Sequence, residues 1–167
     1  REAIRKVTGQ EALVVNVDMN IGLEVLMDNP SSVGTDLIVG AVAGINRYPV
    51  PLILIDMGTA TTICVVNENK QYIGGMILPG IGVSMNSLTS RTAQLPRISL
   101  DPPKRLIGKN TVECMQSGAL YGNASCIDGM VDRIQEELGQ EATIVATGGL
   151  AKRIIPLCRH RIELDDE

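Results

Sequence analysis

Three apolar segments of strand length stand close together in the middle of the chain, and they constrain its fold more than any other feature. They occupy residues 52–55, 61–66 and 71–78, separated by a glycine turn at Gly58 and by the polar loop 67–70. Segments this short, joined by tight turns, pair as neighbouring antiparallel strands. The sequence therefore predicts a three-stranded antiparallel meander over residues 52–77, with Asp56 at the end of its first strand.

Helical patterns follow the meander and alternate with further strands. Helices are expected over about 80–94, 111–138 and 150–157, with a strand at 143–146 and a weak one at 161–164. Strands separated by helices extend a sheet through crossover connections. The predicted fold class is therefore α/β, with a mixed sheet of three antiparallel strands followed by βα units.

The first 48 residues read as the tail of a different unit. Their predicted elements are a helix over 1–8 that ends at Gly9, strands at 12–17 and 23–27, and a helix capped by Ser31 or Ser32 that runs to about Asn46. We interpret 1–48 as the end of an N-terminal domain with its connecting helix, and 49–167 as a C-terminal domain. Because the chain begins at Arg1 without a Met, we expect a piece of a longer protein.

Composition argues against several classes of function. The formal charge is −4, and the chain has three Tyr but no Phe or Trp. Basic patches and stacking platforms for nucleic acid are therefore missing, and no apolar run approaches the roughly 20 residues of a membrane span. Four cysteines without C-x-x-C spacing and a single histidine favour small core residues in a reduced, cytoplasmic protein over a zinc or disulfide framework.

The strongest local signal is the segment 56–62, Asp-Met-Gly-Thr-Ala-Thr-Thr, where a buried strand ends and a turn begins. A glycine lets the backbone approach a ligand closely. Successive turn amides with threonine hydroxyls suit phosphate oxygens, and Asp56 suits a cation. The alternative is an ordinary hairpin turn whose threonines simply favour strands.

Two further signals are weaker on their own. Thr147-Gly148-Gly149 lies between a strand and a helix, where backbone amides accommodate an anion, a ribose or a flat ring. Asp36, in Gly34-Thr35-Asp36, lies near the start of the connecting helix and is a candidate general base on a hydroxyl. The competing interpretations are an ordinary strand-to-helix turn and a carboxylate favoured by the helix dipole.

Taken together in chain order, these pieces closely resemble type III pantothenate kinase over nearly the whole chain. The motifs are Asn29-Pro30 with Gly34-x-Asp36, Asp56-x-Gly58-Thr59-Ala60-Thr61-Thr62, Gly74-Gly75-x-Ile77-x-Pro79-Gly80, Thr92-Ala93-x-Leu95-Pro96, Gly108-Lys109-Asn110-Thr111, Ser117-Gly118 and Thr147-Gly148-Gly149-Leu150-Ala151. That family belongs to the actin-like ATPase and sugar-kinase superfamily, with two ribonuclease-H-like halves around a nucleotide cleft. The resemblance implies that residues 49–167 are the C-terminal half.

The resemblance also implies an activity, cofactors and partners. They are the phosphorylation of pantothenate by ATP to 4'-phosphopantothenate, the first step of coenzyme A biosynthesis, with Mg²⁺, a monovalent cation (K⁺ or NH₄⁺) and a homodimer. By this resemblance, the second phosphate loop would consist of Gly58, Thr59, Ala60, Thr61 and Thr62. Asp56 would bind the monovalent cation, and Gly148 and Gly149 would lie near the adenosine. Gly34 would bind the substrate, Asp36 would bind it and act as the catalytic base, and Thr111 would contact the substrate from the dimer partner. For the dimer, we expect the helices near 80–94 and 111–138 to form much of the interface.

Three positions depart from the family's pattern, all on the acceptor side of the cleft. Met27, Leu37 and Gly40 stand where the family has Tyr, Arg and Asn. The departures keep open a non-kinase paralogue that binds nucleotide in an accessory or regulatory role, and a kinase for another hydroxyl compound. The family's first phosphate loop is not among these 167 residues, so we expect them to be inactive on their own.

Overall fold

The computed structural model describes residues 1–12, 15, 19 and 22–165. The helices are α1 (Glu2–Thr8), α2 (Thr35–Arg47), α3 (Ile81–Ser90), α4 (Thr111–Leu138) and α5 (Ala151–Ile154), with 3-10 turns at Pro30–Ser32 and Ile155–Leu157. The strands are β1 (Glu24–Val25), β2 (Leu52–Met57), β3 (Ala60–Val66), β4 (Gln71–Pro79), β5 (Thr143–Thr147) and β6 (Glu163–Leu164).

The six strands form one mixed sheet in the order β1-β4-β3-β2-β5-β6. The β2, β3 and β4 strands are antiparallel neighbours, which confirms the predicted meander, and Asp56 lies one residue before the end of β2. The β5 strand pairs in parallel with β2, and β6 in parallel with β5. Antiparallel strands followed by βα units are the fold class that the sequence predicts.

Apolar side chains cover both faces of the central strand β2. Ile53, Ile55 and Met57 pack on one face with residues of α4, whereas Leu52 packs on the other face with Ala41 and Ile45 of α2. Successive side chains of a strand point to opposite faces, so a strand buried on both sides reads as a continuous apolar run. The position of α2 against this sheet sets the geometry of the candidate site.

Several boundaries differ from those expected. The α2 helix begins at Thr35 with Gly34 as its N-cap, because the Ser31 and Ser32 hydroxyls bond to Asn29 within the preceding 3-10 turn. The α3 helix ends at Ser90 rather than near 94. Most of the strand expected at 12–17 lies outside the described residues. The domain boundary at residue 48 stays a prediction.

The long helix α4 is capped at both its N-terminus and its C-terminus. The Asn110 side chain accepts a hydrogen bond from the Glu113 amide (2.9 Å), and the Glu113 carboxylate accepts one from the Lys109 amide (3.0 Å). Gly139 ends the helix with a positive φ of 69°, a conformation that glycine adopts without strain. Neither α4 nor any other helix in the described ranges is long and apolar enough to span a membrane.

Candidate active site

A cavity of about 120 Å³ lies between α2 and the neighbouring strands β2, β3 and β5. Its polar lining residues include Asp36, Asp56, Thr62 and Thr147. The structure thus brings the candidate base of the connecting helix to the candidate phosphate segment, 20 residues further along the chain.

The strand register explains why three of these polar residues meet. Asp56 lies opposite Thr62 of β3 on one side and opposite Thr147 of β5 on the other. Paired residues of neighbouring strands direct their side chains to the same face of a sheet. Asp56, Thr62 and Thr147 therefore form a polar row across three strands, on the face that α2 covers.

The turn between β2 and β3 has a tight and well-defined backbone. The Gly58 amide donates to the Ala60 carbonyl oxygen (3.0 Å), and the Gly80 amide donates to the Thr59 carbonyl oxygen (3.1 Å). Thr59 stands exposed at the tip, and in the described part of the chain no other group bonds to its amide or hydroxyl. Thr59 and Thr62 are therefore placed to donate to an anion. Thr61 is only 4% exposed and lies on the opposite face of β3.

The turn at 147–149 is held directly against the end of β2. Gly148 has a φ of +97°, and a Cβ added there would lie 2.7 Å from the Asp56 Oδ1 atom and 2.7 Å from the Met57 backbone nitrogen. Gly149, by contrast, has nothing within 4 Å of an added Cβ. The glycine at 148 is thus needed for the close approach of two turns, which places 147–149 beside the 58–62 segment.

Asp36 occupies the first turn of α2, where the helix dipole favours a carboxylate. It is exposed, and its side chain turns back toward the N-cap Gly34. The charge of Asp36 acts on the Cys64 thiol, which also lines the cavity. Burial raises the pKa of the Cys64 thiol, and the Asp36 and Asp56 carboxylates raise that pKa further. The two carboxylates thus lie close enough to act on the same buried thiol in the lining of the cavity.

A second cavity of about 150 Å³ adjoins the first and shares Leu37 and Cys64 with it. Met27 lines the second cavity, Gly40 lines the first, and Leu37 lines both. The structure therefore brings together the three positions at which the sequence departs from the family pattern.

The far end of the first cavity contains a network that the sequence analysis missed. The Arg47 guanidinium pairs with the Asp165 carboxylate at 3.0 Å, and the Tyr48 hydroxyl donates to the same carboxylate at 2.9 Å. This hydrogen bond raises the pKa of Tyr48. Asp165 belongs to an acidic run at the end of the chain, and nothing in that run indicates a partner 117 residues away.

Thr111 lies apart from these residues. It is the first residue of α4 and lines a groove between α3 and α4 with Met85, Leu88 and Met115. The structure does not bring Thr111 to Asp36 within one chain, so its expected contact with substrate from a dimer partner stays a prediction.

Comparisons with known proteins agree with the sequence motifs. The family described as type III pantothenate kinase matches residues 1–133. A curated type III pantothenate kinase from Bacillus cytotoxicus is 53% identical over 142 residues, which cover 85% of this chain and 54% of that protein. The chain thus spans about half the length of this relative.

Two solved structures show a more distant likeness. A Baf family transcriptional activator from Campylobacter jejuni gives a TM-score of 0.45 at 23% identity, over 68% of this chain and 50% of that one. The activator of 2-hydroxyisocaproyl-CoA dehydratase from Clostridium difficile, with bound ADPNP, gives a TM-score of 0.43 at 14% identity. The match covers 78% of this chain and 60% of that one. On the strength of the two sequence matches, the chain belongs to the type III pantothenate kinase family.

Proposed function

We propose that the protein containing this chain transfers the terminal phosphoryl group of ATP to the hydroxyl of pantothenate, giving 4'-phosphopantothenate and ADP. The observation that carries the proposal is the shared cavity, whose lining includes Asp36 and the polar row of Asp56, Thr62 and Thr147. Phosphoryl transfer depends mainly on positioning and on stabilising charge, and this arrangement offers both.

Each group has a defined role in the proposed reaction. The Asp36 carboxylate takes the proton of the acceptor hydroxyl while the hydroxyl oxygen forms the new bond to the terminal phosphorus and the bond from that phosphorus to ADP breaks. The Thr59 amide and the Thr59 and Thr62 hydroxyls donate to the phosphate oxygens, on which negative charge accumulates. Gly148 and Gly149 border the site where the rest of the nucleotide lies.

The side chains present suit the hard cations that such a reaction uses. Asp56 is exposed and makes no ion pair with any Lys or Arg in the described ranges, and its neighbours Thr62 and Thr147 offer only oxygen atoms. Oxygen donors are the ligands that Mg²⁺ and similar cations prefer. We propose that Asp56 holds K⁺ or NH₄⁺, while ATP enters as its Mg²⁺ complex; these cations supply charge neutralisation.

We further propose a homodimer in the cytoplasm, with α3 and α4 at its interface. The groove between these helices is lined mainly by apolar side chains, of which Leu88 is 41% exposed, and Thr111 also lines it. In such a dimer, Thr111 of one subunit contacts the substrate of the other. Light scattering that shows a monomer at high protein concentration would contradict this assembly.

The test is a coupled assay of ADP release by the full-length protein with ATP and pantothenate. Asp36→Asn and Asp56→Asn should each lower kcat by roughly a hundredfold or more. Glu68→Gln is the matched control, because Glu68 is exposed in the loop between β3 and β4, at the opposite end of β3 from the 58–62 turn. Full activity of Asp36→Asn would remove the proposed base. Nucleotide binding without any phosphorylated product would favour the accessory protein instead.

A further inference from the structure

We propose that Asp165 is a positioning residue for phosphoryl transfer, which holds the proposed base Asp36 in place from the opposite end of α2. It does so by clamping that end of the helix to the sheet through Arg47 and Tyr48. The inference rests on the proposed function and assigns a role in it to the network at the far end of the first cavity.

The clamp joins the end of α2 to a fixed point of the sheet. The Arg47 guanidinium contacts both oxygens of the Asp165 carboxylate, at 3.0 and 3.2 Å, and the Tyr48 hydroxyl donates to one of them at 2.9 Å. The backbone of Asp165 is itself held, because its amide donates to the carbonyl oxygen of Ala146 in β5 (2.9 Å). The Asp165 side chain is only 14% exposed, so solvent screens this network less than an ion pair at the open surface.

The clamp gives α2 a second anchor besides its chain connection. The connection leads from Tyr48 to Leu52, the first residue of β2, whereas Asp165 directly follows β6. The two strands are separated by β5 in the sheet. A helix attached at one strand is free to swivel across the sheet, while attachment at two separated strands fixes its direction.

The packing of α2 leaves its direction dependent on the clamp. The buried side chains Ile38, Ala41 and Ile45 are all apolar. Hydrophobic contacts are non-directional, so they hold the helix on the sheet without fixing its angle. Hydrogen bonds to one carboxylate are directional, and they supply the missing constraint.

The length of α2 amplifies any movement at the clamp. The helix approaches the sheet closely at Gly44, where an added Cβ would lie 2.7 Å from the Leu52 side chain. At the helical rise of about 1.5 Å per residue, Asp36 lies about 12 Å from Gly44 and the clamp about 5 Å on its other side. A swivel about Gly44 that moves the clamp by about 1 Å therefore moves Asp36 by about 2 Å. Misplacement of a reacting group by about 1 Å can cost roughly a hundredfold in rate.

The experiment measures kcat with ATP and pantothenate in variants of the full-length protein. Arg47→Ala and Asp165→Ala both break the ion pair, but they change the net charge in opposite directions. Both should lower kcat, Asp165→Ala by about tenfold or more, and the double variant should be no worse than Asp165→Ala alone. Effects of opposite sign, or effects that add, would overturn the inference, because charge and not a shared clamp would then decide.

ATP affinity separates positioning from a general loss of structure. The 58–62 turn lies outside α2, and Asp165→Ala keeps the backbone bond to Ala146. Titration calorimetry should therefore give an ATP affinity within about twofold of the unmodified protein. A parallel loss of ATP affinity and kcat, or an unchanged kcat, would overturn the inference and leave the proposed function intact. No turnover by the unmodified protein would refute the proposed function, and the inference would fall with it.

Two further variants complete the test. Glu163→Gln is the matched control, because Glu163 lies in β6 and its carboxylate pairs with Arg161 at 3.8 Å; its kcat should equal that of the unmodified protein. Tyr48→Phe removes one hydroxyl and keeps the ion pair, so it tests the clamp even where Asp165→Ala does not fold. It should lower kcat by about twofold to fivefold with ATP affinity unchanged, and a kcat equal to that of Glu163→Gln would contradict the clamp.

Discussion

Replacing Gly148 by Ala should lower the stability of the fold and weaken binding at the proposed nucleotide site. The backbone at 148 has a φ of +97°, where an L side chain costs about 1–2 kcal/mol. The added Cβ would also lie 2.7 Å from the Asp56 Oδ1 atom and from the Met57 backbone. Overpacking of this kind typically costs about 1–3 kcal/mol. We therefore expect a loss of roughly 2–5 kcal/mol in the free energy of unfolding.

The adjacent glycine supplies the matched control. Gly149→Ala adds the same methyl group one residue later, where no atom lies within 4 Å of it. In urea or guanidinium denaturation of the full-length protein, Gly148→Ala should lower the free energy of unfolding and Gly149→Ala should change it by less than about 1 kcal/mol. Because the relaxation displaces Asp56, titration calorimetry should also show ATP affinity reduced about tenfold or more in Gly148→Ala. Equal stability of the two variants would refute the close approach of the two turns.

Three other outcomes follow from the structure. Burial and the contact with Cys64 raise the pKa of Tyr72 above its usual value; a raised phenol pKa stabilises the fold below pH ~10 and this contribution is lost as the pH rises through the folded pKa. The free energy of unfolding should thus fall above pH ~10, and less steeply in Tyr72→Phe, as equilibrium denaturation at several pH values will show. Asn110→Ala removes the side-chain cap of α4 and should cost about 1 kcal/mol by the same method, whereas Asn110→Asp retains an acceptor and should cost less. Residues 1–167 alone should not phosphorylate pantothenate at a useful rate in the ADP-release assay, since the family's first phosphate loop is not among them; turnover comparable to that of the full-length protein would show that this loop is dispensable.

Local chemistry made much of the fold predictable. The turn at Gly58 and the loop 67–70 separate apolar runs that pair with their nearest neighbours, so β2, β3 and β4 follow from the sequence. The α4 helix was predicted with its bounds because Asn110 and Gly139 act at its ends through local hydrogen bonds and backbone conformation.

Features that depend on distant residues were harder to predict. The α2 helix begins later than the sequence predicts, because the hydroxyls of Ser31 and Ser32, which were expected to cap it, donate hydrogen bonds to Asn29 instead. The pairing of Arg47 with Asp165 depends on β6 reaching the end of α2, which no local pattern indicates. The division of Thr61 and Thr62 between opposite faces follows from strand alternation once the bounds of β3 are known.

The site itself was predictable in its members but not in its shape. Asp36 and the 56–62 segment are recognisable as motifs, yet their meeting depends on α2 packing across β2 through Ala41 and Ile45. The two cavities on either side of Leu37 arise only from that packing.

The most direct test of the central claim is a crystal structure of the full-length protein with a non-hydrolysable ATP analogue and an acceptor alcohol. We expect the terminal phosphate of the analogue at the 58–62 turn, with Asp56 on the same side. The acceptor hydroxyl should lie within hydrogen-bonding distance of the Asp36 carboxylate, in the cavity beneath α2. A nucleotide bound elsewhere, or an acceptor hydroxyl out of reach of Asp36, would contradict the assignment of this cavity as the site of phosphoryl transfer.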